Sequence, residues 1–295
     1  MVINMNNIIP WSNFFDHIYC IHSTLYPDRI SKISNELQRV GILNSGIFSW
    51  KISSGDFINH CNYDLSYYYN PEEINKNKFI DLTKNYVEIF EESIINNYQK
   101  ILVLEDDIYF LKDLQLIKII IENLPDFDIC KFDWNCFFTY INQEDLGPNT
   151  IYDIGSINDY YCHYTWTTSS GLTGYSNRIM QVLLERIKYH LDNKIILPFD
   201  NYLARLCDLT SNTNKLQLYF HRYYPDRQHF LKQFDDDKNI IKLILSKKHI
   251  GMQIGTNTLN GNSYENLYYF PSDYQLCEKY GDLYKIDINE YNYTI

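Results

Sequence analysis

The sequence predicts an α/β protein with a parallel sheet. First, the four aliphatic residues 101–104 run directly into Glu105, Asp106 and Asp107, and an uninterrupted apolar run of this kind is typical of a strand buried on both faces. Second, residues 16–52 alternate strand, helix and strand, the order that opens a parallel sheet. Third, the chain has 295 residues, 45% of them hydrophobic, enough for one large α/β domain or two small ones.

The first predicted unit consists of a strand at residues 16–22, a helix at residues 30–40 and a second strand at residues 47–52. Inside the helix, apolar residues recur at steps of three and four, which marks one buried face. These residues are Ile30, Ile33, Leu37 and Val40. Gly41 then suits the helix end, because glycine readily adopts the left-handed conformation found there.

The turn after the first strand carries Asp28 and Arg29. It lies at the carboxyl end of the strand, which is where open α/β sheets bind their ligands. The guanidinium of Arg29 is suited to binding a diphosphate there. An ion pair between Asp28 and Arg29 that pins the turn is the alternative interpretation, and the sequence alone leaves both open.

The acidic residues Glu105, Asp106 and Asp107 follow the central predicted strand directly. In an extended chain, alternate side chains point the same way, so Glu105 and Asp107 share one side. Carboxylates this close repel one another unless a cation lies between them, and oxygen ligands of this kind suit Mg²⁺ or Mn²⁺. An acidic turn exposed to solvent is the alternative interpretation.

Further helices and strands follow from apolar spacing and turn residues along the chain. The predicted helices are residues 79–98, residues 111–124, closed by Pro125, and a helix that begins with Ser176 as its N-cap. The predicted strands are residues 128–133, 195–197 and 216–220. Loops are predicted at residues 60–78 and 137–159, and the small residues 167–174 indicate a close approach of the backbone to a ligand or to another strand.

Two later residues are candidates for the same site. Asp200 follows an apolar run that ends at Pro198, so it places a carboxylate where a strand meets a helix; a helix N-cap is its alternative role. His249 precedes a segment rich in glycine and asparagine at residues 255–263, surroundings that would let a histidine close over a metal-bound diphosphate. His163 lies among aromatic residues and is more simply a core or cleft histidine.

Composition and charge narrow the classes of partner. The formal charge at pH 7 is −11, from 26 basic and 37 acidic residues, so the chain lacks the clustered Lys and Arg of a nucleic-acid-binding surface. No stretch approaches 18 apolar residues, and residues 1–11 lack the features of a signal peptide. The seven cysteines include no CxxC pair. We therefore expect a cytoplasmic protein with reduced cysteines, no transmembrane segment and no nucleic-acid partner.

Four segments of the chain, in order, resemble the family 25 glycosyltransferases, which include the collagen galactosyltransferases and bacterial lipooligosaccharide sugar transferases. The segments are residues 18–29, 53–56, 102–107 and 166–203. The closest match to a family motif is Leu-Val-Leu-Glu-Asp-Asp at residues 102–107, which resembles the DXD-like motif that holds the metal. Together the segments span about residues 16–206, roughly two thirds of the chain.

The sequence departs from the family pattern at two places. His22 stands where the opening motif usually has asparagine. The helix before the acidic strand usually carries a Ser-His pair, and Asn85 and Tyr86 occupy those positions in this chain. Because that histidine is missing, a catalytically inactive, glycan-binding member of the same fold is the main alternative to an active enzyme.

The resemblance implies a GT-A-like fold, in which helices flank one mixed, mostly parallel sheet. The Rossmann-like nucleotide-sugar domain would comprise residues 1–230, and a C-terminal extension at residues 231–295 would pack on it. It implies transfer of galactose or glucose from a UDP-sugar, with inversion and with Mn²⁺ or Mg²⁺ as cofactor. The acceptor would be a hydroxyl of a glycan, a lipid-linked saccharide or a protein, such as the hydroxylysine of a collagen-like chain. A metal-dependent phosphohydrolase is a weaker alternative, because the further His or Asp motifs of that class are missing.

The resemblance also implies roles for individual residues. The implied metal ligands are Asp107, Glu105 or Asp106, and His249 or, as a second choice, His221. The implied donor-binding residues are Arg29, Asp28, Glu105, Asp106 and Trp166. Asp200 is the implied base that takes the proton of the acceptor hydroxyl.

Overall fold

The computed structural model describes residues 9–53, 76–133, 137–138, 157–163, 166–167, 170–194, 199, 202–203, 242–253, 290 and 292. At residues 76–80, 137–138, 163 and 166–167 it describes the backbone alone. Within these ranges, no helix combines the length and the apolar character needed to cross a membrane.

The described strands and helices are numbered in chain order. The strands are β1 (His17–Ser23), β2 (Phe48–Ser53), β3 (Lys100–Glu105), β4 (Ile108–Phe110), β5 (Ile129–Lys131), β6 (Phe137–Phe138), β7 (Tyr161–His163), β8 (Trp166–Thr167), β9 (Leu172–Ser176), β10 (Leu243–Ser246) and β11 (Gly251–Gln253). The helices are α1 (Arg29–Arg39), α2 (Lys76–Ile95), α3 (Leu114–Glu122) and α4 (Asn177–Asp192), preceded by a short 3-10 helix at Trp11–Asn13.

Seven of these strands form one sheet in the order β2-β1-β3-β9-β5-β10-β7. Five of the seven run in the same direction, whereas β9 and β7 run antiparallel to their neighbours. The predicted α/β class with a mixed, mostly parallel sheet is therefore confirmed. Two further antiparallel pairs, β4 with β11 and β6 with β8, lie outside this sheet.

Helices cover both faces of the sheet, and β3 shows how. Leu102 and Leu104 belong to a core cluster that includes residues of α1 and α3. Ile101 and Val103 belong to a second cluster that includes residues of α2 and α4. Neighbouring residues alternate between the clusters because side chains of a strand point to opposite faces. Burial on both faces explains why β3 reads as an uninterrupted apolar run.

The first predicted unit is confirmed, since the bounds of β1, α1 and β2 each lie within one residue of the prediction. The next helices differ more. Helix α2 ends at Ile95 rather than at residue 98, and Asn97 beyond it has a positive φ of 57°. Helix α3 begins at Leu114 rather than at residue 111, because the side chain of Asp113 accepts a hydrogen bond from the backbone nitrogen of Leu116 at 3.0 Å and caps the helix there.

The largest difference from the prediction is β9, which lies at the centre of the sheet between β3 and β5. Its sequence, Leu-Thr-Gly-Tyr-Ser, lacks the apolar run of the neighbouring strands. Gly174 shows why a small residue is required, because a Cβ there would lie 3.1 Å from the ring of Phe127 and 3.3 Å from the ring of Phe15. Of the two explanations for the small residues 167–174, close approach to other strands holds for residues 172–174, because β9 pairs with β3 and with β5. Strand β10 likewise falls outside the predicted elements.

Other predictions concern residues outside the described ranges. They are residues 54–56 of the matched segment 53–56, most of the loops at residues 60–78 and 137–159, and the strands at residues 195–197 and 216–220. Cys20, Cys130 and Cys162 are buried thiols, as expected of core cysteines.

Two residues near the C-terminus contact β4 and the turn after it. The carbonyl oxygen of Glu290 accepts a hydrogen bond from the backbone nitrogen of Lys112 at 2.8 Å, and the backbone nitrogen of Asn292 donates to the carbonyl of Phe110 at 3.1 Å. The Asn292 side chain also donates to the buried carboxylate of Glu36. The division of the chain at residue 230 stays a prediction.

Ser176 caps α4, as the sequence predicts. Its hydroxyl oxygen accepts a hydrogen bond from the backbone nitrogen of Ile179 at 3.4 Å, and its hydroxyl donates to Oδ1 of Asp128 at 2.9 Å. We expect Ser176→Ala to lower the free energy of unfolding by about 1–2 kcal/mol, because the cap is lost. Urea unfolding followed by circular dichroism measures this change.

Ser12→Ala is the matched control, because Ser12 is exposed. It should change the free energy of unfolding by less than about 0.5 kcal/mol. Equal effects of the two substitutions would contradict the capping role of Ser176.

Candidate functional site

The acidic residues lie where the connections of the sheet change direction. From β1 the chain passes through α1 to β2, at one edge of the sheet, whereas from β3 it passes through α3 to β5, on the other side. Strands β1 and β3 are parallel neighbours, so they form a topological switch point. Open α/β sheets bind ligands in the crevice at the carboxyl ends of such strands. Glu105 ends β3 at this point, and Asp106 and Asp107 follow it.

Asp106 ties the end of β3 to the end of β1. Its Oδ2 accepts hydrogen bonds from Nδ1 of His22 at 2.6 Å and from the backbone nitrogen of Ser23 at 3.1 Å. Its Oδ1 accepts a hydrogen bond from Nη1 of Arg29 at 3.0 Å. A carboxylate is an acceptor, so the proton of this contact belongs on Nδ1 of His22. Donors occupy both oxygens of Asp106, which is 6% exposed, so we assign it an anchoring role rather than that of a metal ligand.

Arg29 is the positive charge beside the acids. Its Nη1 lies 3.0 Å from Oδ1 of Asp106 and 3.3 Å from Oδ2 of Asp107, and its guanidinium lies over the ring of Tyr26 at 4.4 Å. These two ion pairs therefore join the turn after β1 to the acidic residues after β3. Asp28 is exposed, and its side chain makes no capping hydrogen bond to α1 within the described ranges. Its role in donor binding stays a prediction.

Gln253 joins Glu105 to Asp107. Its Nε2 donates to Oε2 of Glu105 at 3.2 Å and to Oδ1 of Asp107 at 3.1 Å. Strand β11 brings it there, because the antiparallel pairing with β4 sets Gln253 opposite Ile108, the residue after Asp107. The sequence prediction missed Gln253, since no local motif marks a glutamine whose position depends on pairing with a distant strand.

Glu105 is also held from the side of β9. Its Oε1 accepts a hydrogen bond from the hydroxyl of Ser170 at 2.8 Å, and its backbone nitrogen donates to the carbonyl of Gly171 at 2.9 Å. Asp133 lies on the other side of this segment, where its Oδ1 accepts a hydrogen bond from the backbone nitrogen of Leu172 at 2.7 Å. Ser170 and Asp133 are further site residues that the sequence prediction missed.

Burial raises the pKa values of Glu105 and Asp107. Removal from water is the largest cause and raises the pKa of Glu105 to about 8, with a further rise from the charge of Asp107 and an opposing effect of the Ser170 hydrogen bond. Burial also raises the pKa of Asp107, against the opposing charge of Arg29. A cation between the two carboxylates would favour their ionised forms and reverse these shifts.

The carboxylates of Glu105 and Asp107 are oxygen ligands of the chemical type that binds divalent cations. Within the described ranges, no group of three or more His, Cys, Asp and Glu side chains is arranged to hold a metal ion. Glu105 and Asp107 nevertheless supply two carboxylates, and the Gln253 amide that contacts both also carries an oxygen. Mg²⁺ and Mn²⁺ are commonly held by one or two carboxylates together with water and substrate phosphates.

The other predicted site residues fall into two groups. His249 is 3% exposed, and burial lowers its pKa to about 3. Gln253, four residues later, donates hydrogen bonds to Glu105 and Asp107. A role for His249 as a metal ligand stays a prediction. His221 and Asp200 lie outside the described residues, and Trp166 is described by its backbone alone, in β8.

Tyr86 stands where the resemblance leads us to expect a histidine. It is fully buried, its hydroxyl donates to the carbonyl of Ser170 at 3.2 Å, and its ring stacks on that of Phe199 with centroids 3.4 Å apart. Tyr86 therefore packs directly behind the residue that holds Glu105. Phe199, the residue before Asp200, therefore contacts Tyr86, which bonds to Ser170, and Ser170 in turn donates to Glu105.

No protein-family model matches this chain, and no curated protein matches it. The site itself bears on function, because the carboxylates of Glu105 and Asp107 lie with Arg29 at the switch point of a mostly parallel sheet.

In metal-free buffer, we expect Glu105→Gln to stabilise the protein increasingly as the pH rises from about 5.5 to about 8. Glu105 has a pKa of about 8 in the folded protein, against an ordinary value of 4.5. Between these values the folded state binds more protons than the unfolded state, so a rise in pH disfavours folding. The glutamine does not titrate and escapes this loss. Urea unfolding in EDTA at the two pH values measures the difference between variant and wild type.

Comparing variant with wild type is necessary because His249 acts in the opposite direction. Its pKa is about 3 in the folded protein and ordinarily 6.5, so its contribution rises with pH between these values. Glu122→Gln makes the same chemical change at an exposed position of α3 and should leave the pH dependence unchanged. If Glu105→Gln behaves like Glu122→Gln, the assignment of a raised pKa to Glu105 is wrong.

Proposed function

We propose that this protein is a metal-dependent glycosyltransferase that transfers a hexose, galactose or glucose, from a UDP-sugar to a hydroxyl of an acceptor, with inversion. One observation carries the proposal: the half-buried Glu105 and the buried Asp107 lie with Arg29 beside Asp107 at the switch point between β1 and β3. A sugar nucleotide loses a nucleoside diphosphate, and the negative charge that develops on it needs cations at a fixed position. The mostly parallel sheet with acids at the end of a central strand supports a GT-A-like fold.

Asp107 and Glu105 are the residues that we propose to hold Mn²⁺ or Mg²⁺, with His249 or His221 as the further ligand implied by the resemblance. When bound, the cation neutralises charge on the departing diphosphate. Asp106 acts differently, because its hydrogen bonds to His22, Ser23 and Arg29 keep the ends of β1 and β3 together.

Arg29 supplies a second positive charge for the diphosphate. Its side chain retains 15% exposure, and its Nη1 contacts Asp106 and Asp107. Guanidinium groups keep their charge at any working pH and bind phosphate oxygens through two parallel hydrogen bonds. The ion pairs with the acids fix the position of this group before a donor binds.

Asp200 is the proposed catalytic base. It would take the proton of the acceptor hydroxyl as that oxygen bonds to the anomeric carbon, while the bond from the sugar to UDP breaks and UDP leaves with the electron pair. The burial of Phe199 against Tyr86 supports a position for this segment near Glu105. Trp166 is the proposed stacking surface for the sugar or acceptor, which is a glycan, a lipid-linked saccharide or a hydroxylysine of a collagen-like protein.

The observation that favours a second function is Tyr86 itself. A fully buried tyrosine replaces the histidine implied by the resemblance, and its hydroxyl is engaged by the carbonyl of Ser170. A catalytically inactive, glycan-binding protein of the same fold would tolerate that replacement. A metal-dependent phosphohydrolase is the less supported alternative.

One assay separates the three functions. The purified protein is incubated with Mn²⁺, a panel of sugar nucleotides and simple phosphate esters, and release of UDP and of phosphate is measured. The proposed transferase releases UDP from UDP-galactose or UDP-glucose, faster with acceptor than without. Hydrolysis of phosphate esters alone would indicate the phosphohydrolase. Glycan binding without turnover of any donor would indicate the inactive protein.

We expect Asp107→Asn to lower kcat for sugar transfer at least about 100-fold, because stabilisation of the leaving diphosphate by a bound cation is worth several kcal/mol. The same variant should still fold, because the size of the side chain is kept, but it should lose some thermal stability, since an NH₂ group replaces one of the two oxygens that accept hydrogen bonds from Arg29 and Gln253. Asp192→Asn, at the exposed end of α4, is the control and should turn over normally. Normal turnover of Asp107→Asn would remove Asp107 from the proposed metal site.

We expect Asp200→Asn to lower kcat about 100- to 10,000-fold, the usual contribution of a general base. The KM for the donor should change little, because the base acts on the acceptor. Steady-state kinetics with saturating acceptor distinguishes these parameters. If the substitution lowers only the melting temperature, Asp200 is a helix N-cap.

A further inference from the structure

The side chain of Gln253 contacts the two proposed metal ligands through a single nitrogen atom. Nε2 lies 3.2 Å from Oε2 of Glu105 and 3.1 Å from Oδ1 of Asp107. The amide NH₂ has two hydrogens, one for each carboxylate. A cation bound by the same two oxygen atoms would compete with this nitrogen, because an NH₂ group has no lone pair to offer a metal.

The backbone around Gln253 is fitted closely to the site. A Cβ at Gly251, the first residue of β11, would lie 2.8 Å from side-chain atoms of Ile108 and Leu172. Glycine therefore lets β11 approach β4 closely enough to pair with it. The pairing sets Gln253 opposite Ile108, next to Asp107.

Gly171 leaves the space that the Gln253 side chain occupies. A Cβ at Gly171 would lie 2.5 Å from both Cγ and Cδ of Gln253 and 2.7 Å from Oδ2 of Asp133. Alanine at this position would push the stem of Gln253 away from the acids. The carbonyl of Gly171 also accepts the hydrogen bond from the backbone of Glu105, so the same short segment positions both side chains.

We propose that Gln253 is a switchable ligand of the cation site. Its amide nitrogen donates to Glu105 and Asp107, and on metal binding the amide would turn about its terminal bond and present Oε1 as a neutral oxygen ligand. The terminal torsion of glutamine is broad and roughly two-fold, so the turn costs little. Amide oxygens are ordinary ligands of hard divalent cations. This inference rests on the proposed function, because it assigns a residue to the metal of that site.

Calorimetric titration with Mn²⁺ alone tests the inference without donor or acceptor. Gln253→Leu removes both amide atoms and should weaken Mn²⁺ binding about 10- to 100-fold. Gln253→Glu keeps an oxygen at the same reach and should bind Mn²⁺ at least as tightly as wild type. Gly171→Ala keeps the amide but occupies its space, so it should weaken binding in the same direction as the leucine. Gln38→Leu, at an exposed position of α1, is the matched control and should bind as wild type.

The pattern across the variants separates a ligand from a merely structural residue. A structural glutamine would lower stability in EDTA when replaced, yet leave Mn²⁺ affinity unchanged in Gln253→Leu, and that result overturns the inference. Equal weakening in Gln253→Leu and Gln253→Glu also overturns it, because the oxygen then has no role. If wild type itself binds no Mn²⁺, both this inference and the proposed metal-dependent function fall. Normal wild-type binding with an unaffected leucine variant removes this inference alone.

Discussion

The local structure depends on holding carboxylates at the end of β3 largely out of water. Asp107 is buried and Glu105 is half-buried, removal from water raises the pKa values of both, and Asp106 lies between them in sequence. Three separate parts of the chain meet there because each supplies donors to the acids: the end of β1 with the turn after it, the segment before β9, and β11. Arg29 supplies positive charge to the acids through its ion pairs with Asp106 and Asp107.

Such an arrangement costs stability at neutral pH, because the folded protein must keep acidic groups out of water. Titratable groups with perturbed pKa values are common at functional sites, because binding and catalysis need acids and bases in such environments. Their position supports a binding function more than their number does, since the switch point of an α/β sheet is where ligands bind. A divalent cation together with the diphosphate of a nucleotide sugar would satisfy both the carboxylates and Arg29. That complementarity is the physical basis of the proposed transferase.

The sequence predicted β1, α1, β2 and β3 closely, because their apolar periods are unbroken and local. It also put Arg29 and the acids at the carboxyl ends of two strands, and the structure shows that these strands are parallel neighbours. It could not predict β9, whose small residues are required by the rings of Phe15 and Phe127, contacts that depend on the tertiary structure. Nor could it find Gln253, because only the pairing of β11 with β4 carries that residue to the acids. His249 drew attention as a common ligand type, and its role as a metal ligand stays a prediction; Gln253, four residues later, donates to Glu105 and Asp107.

The most direct measurement is a crystal structure of the protein with Mn²⁺ and UDP, using the anomalous signal of manganese to locate the cation. The proposed function predicts an anomalous peak at about 2.1 Å from carboxylate oxygens of Asp107 and Glu105, with diphosphate oxygens of UDP on the same ion and near Arg29. A well-ordered complex with the peak elsewhere, or UDP bound away from the ends of β1 and β3, would contradict it.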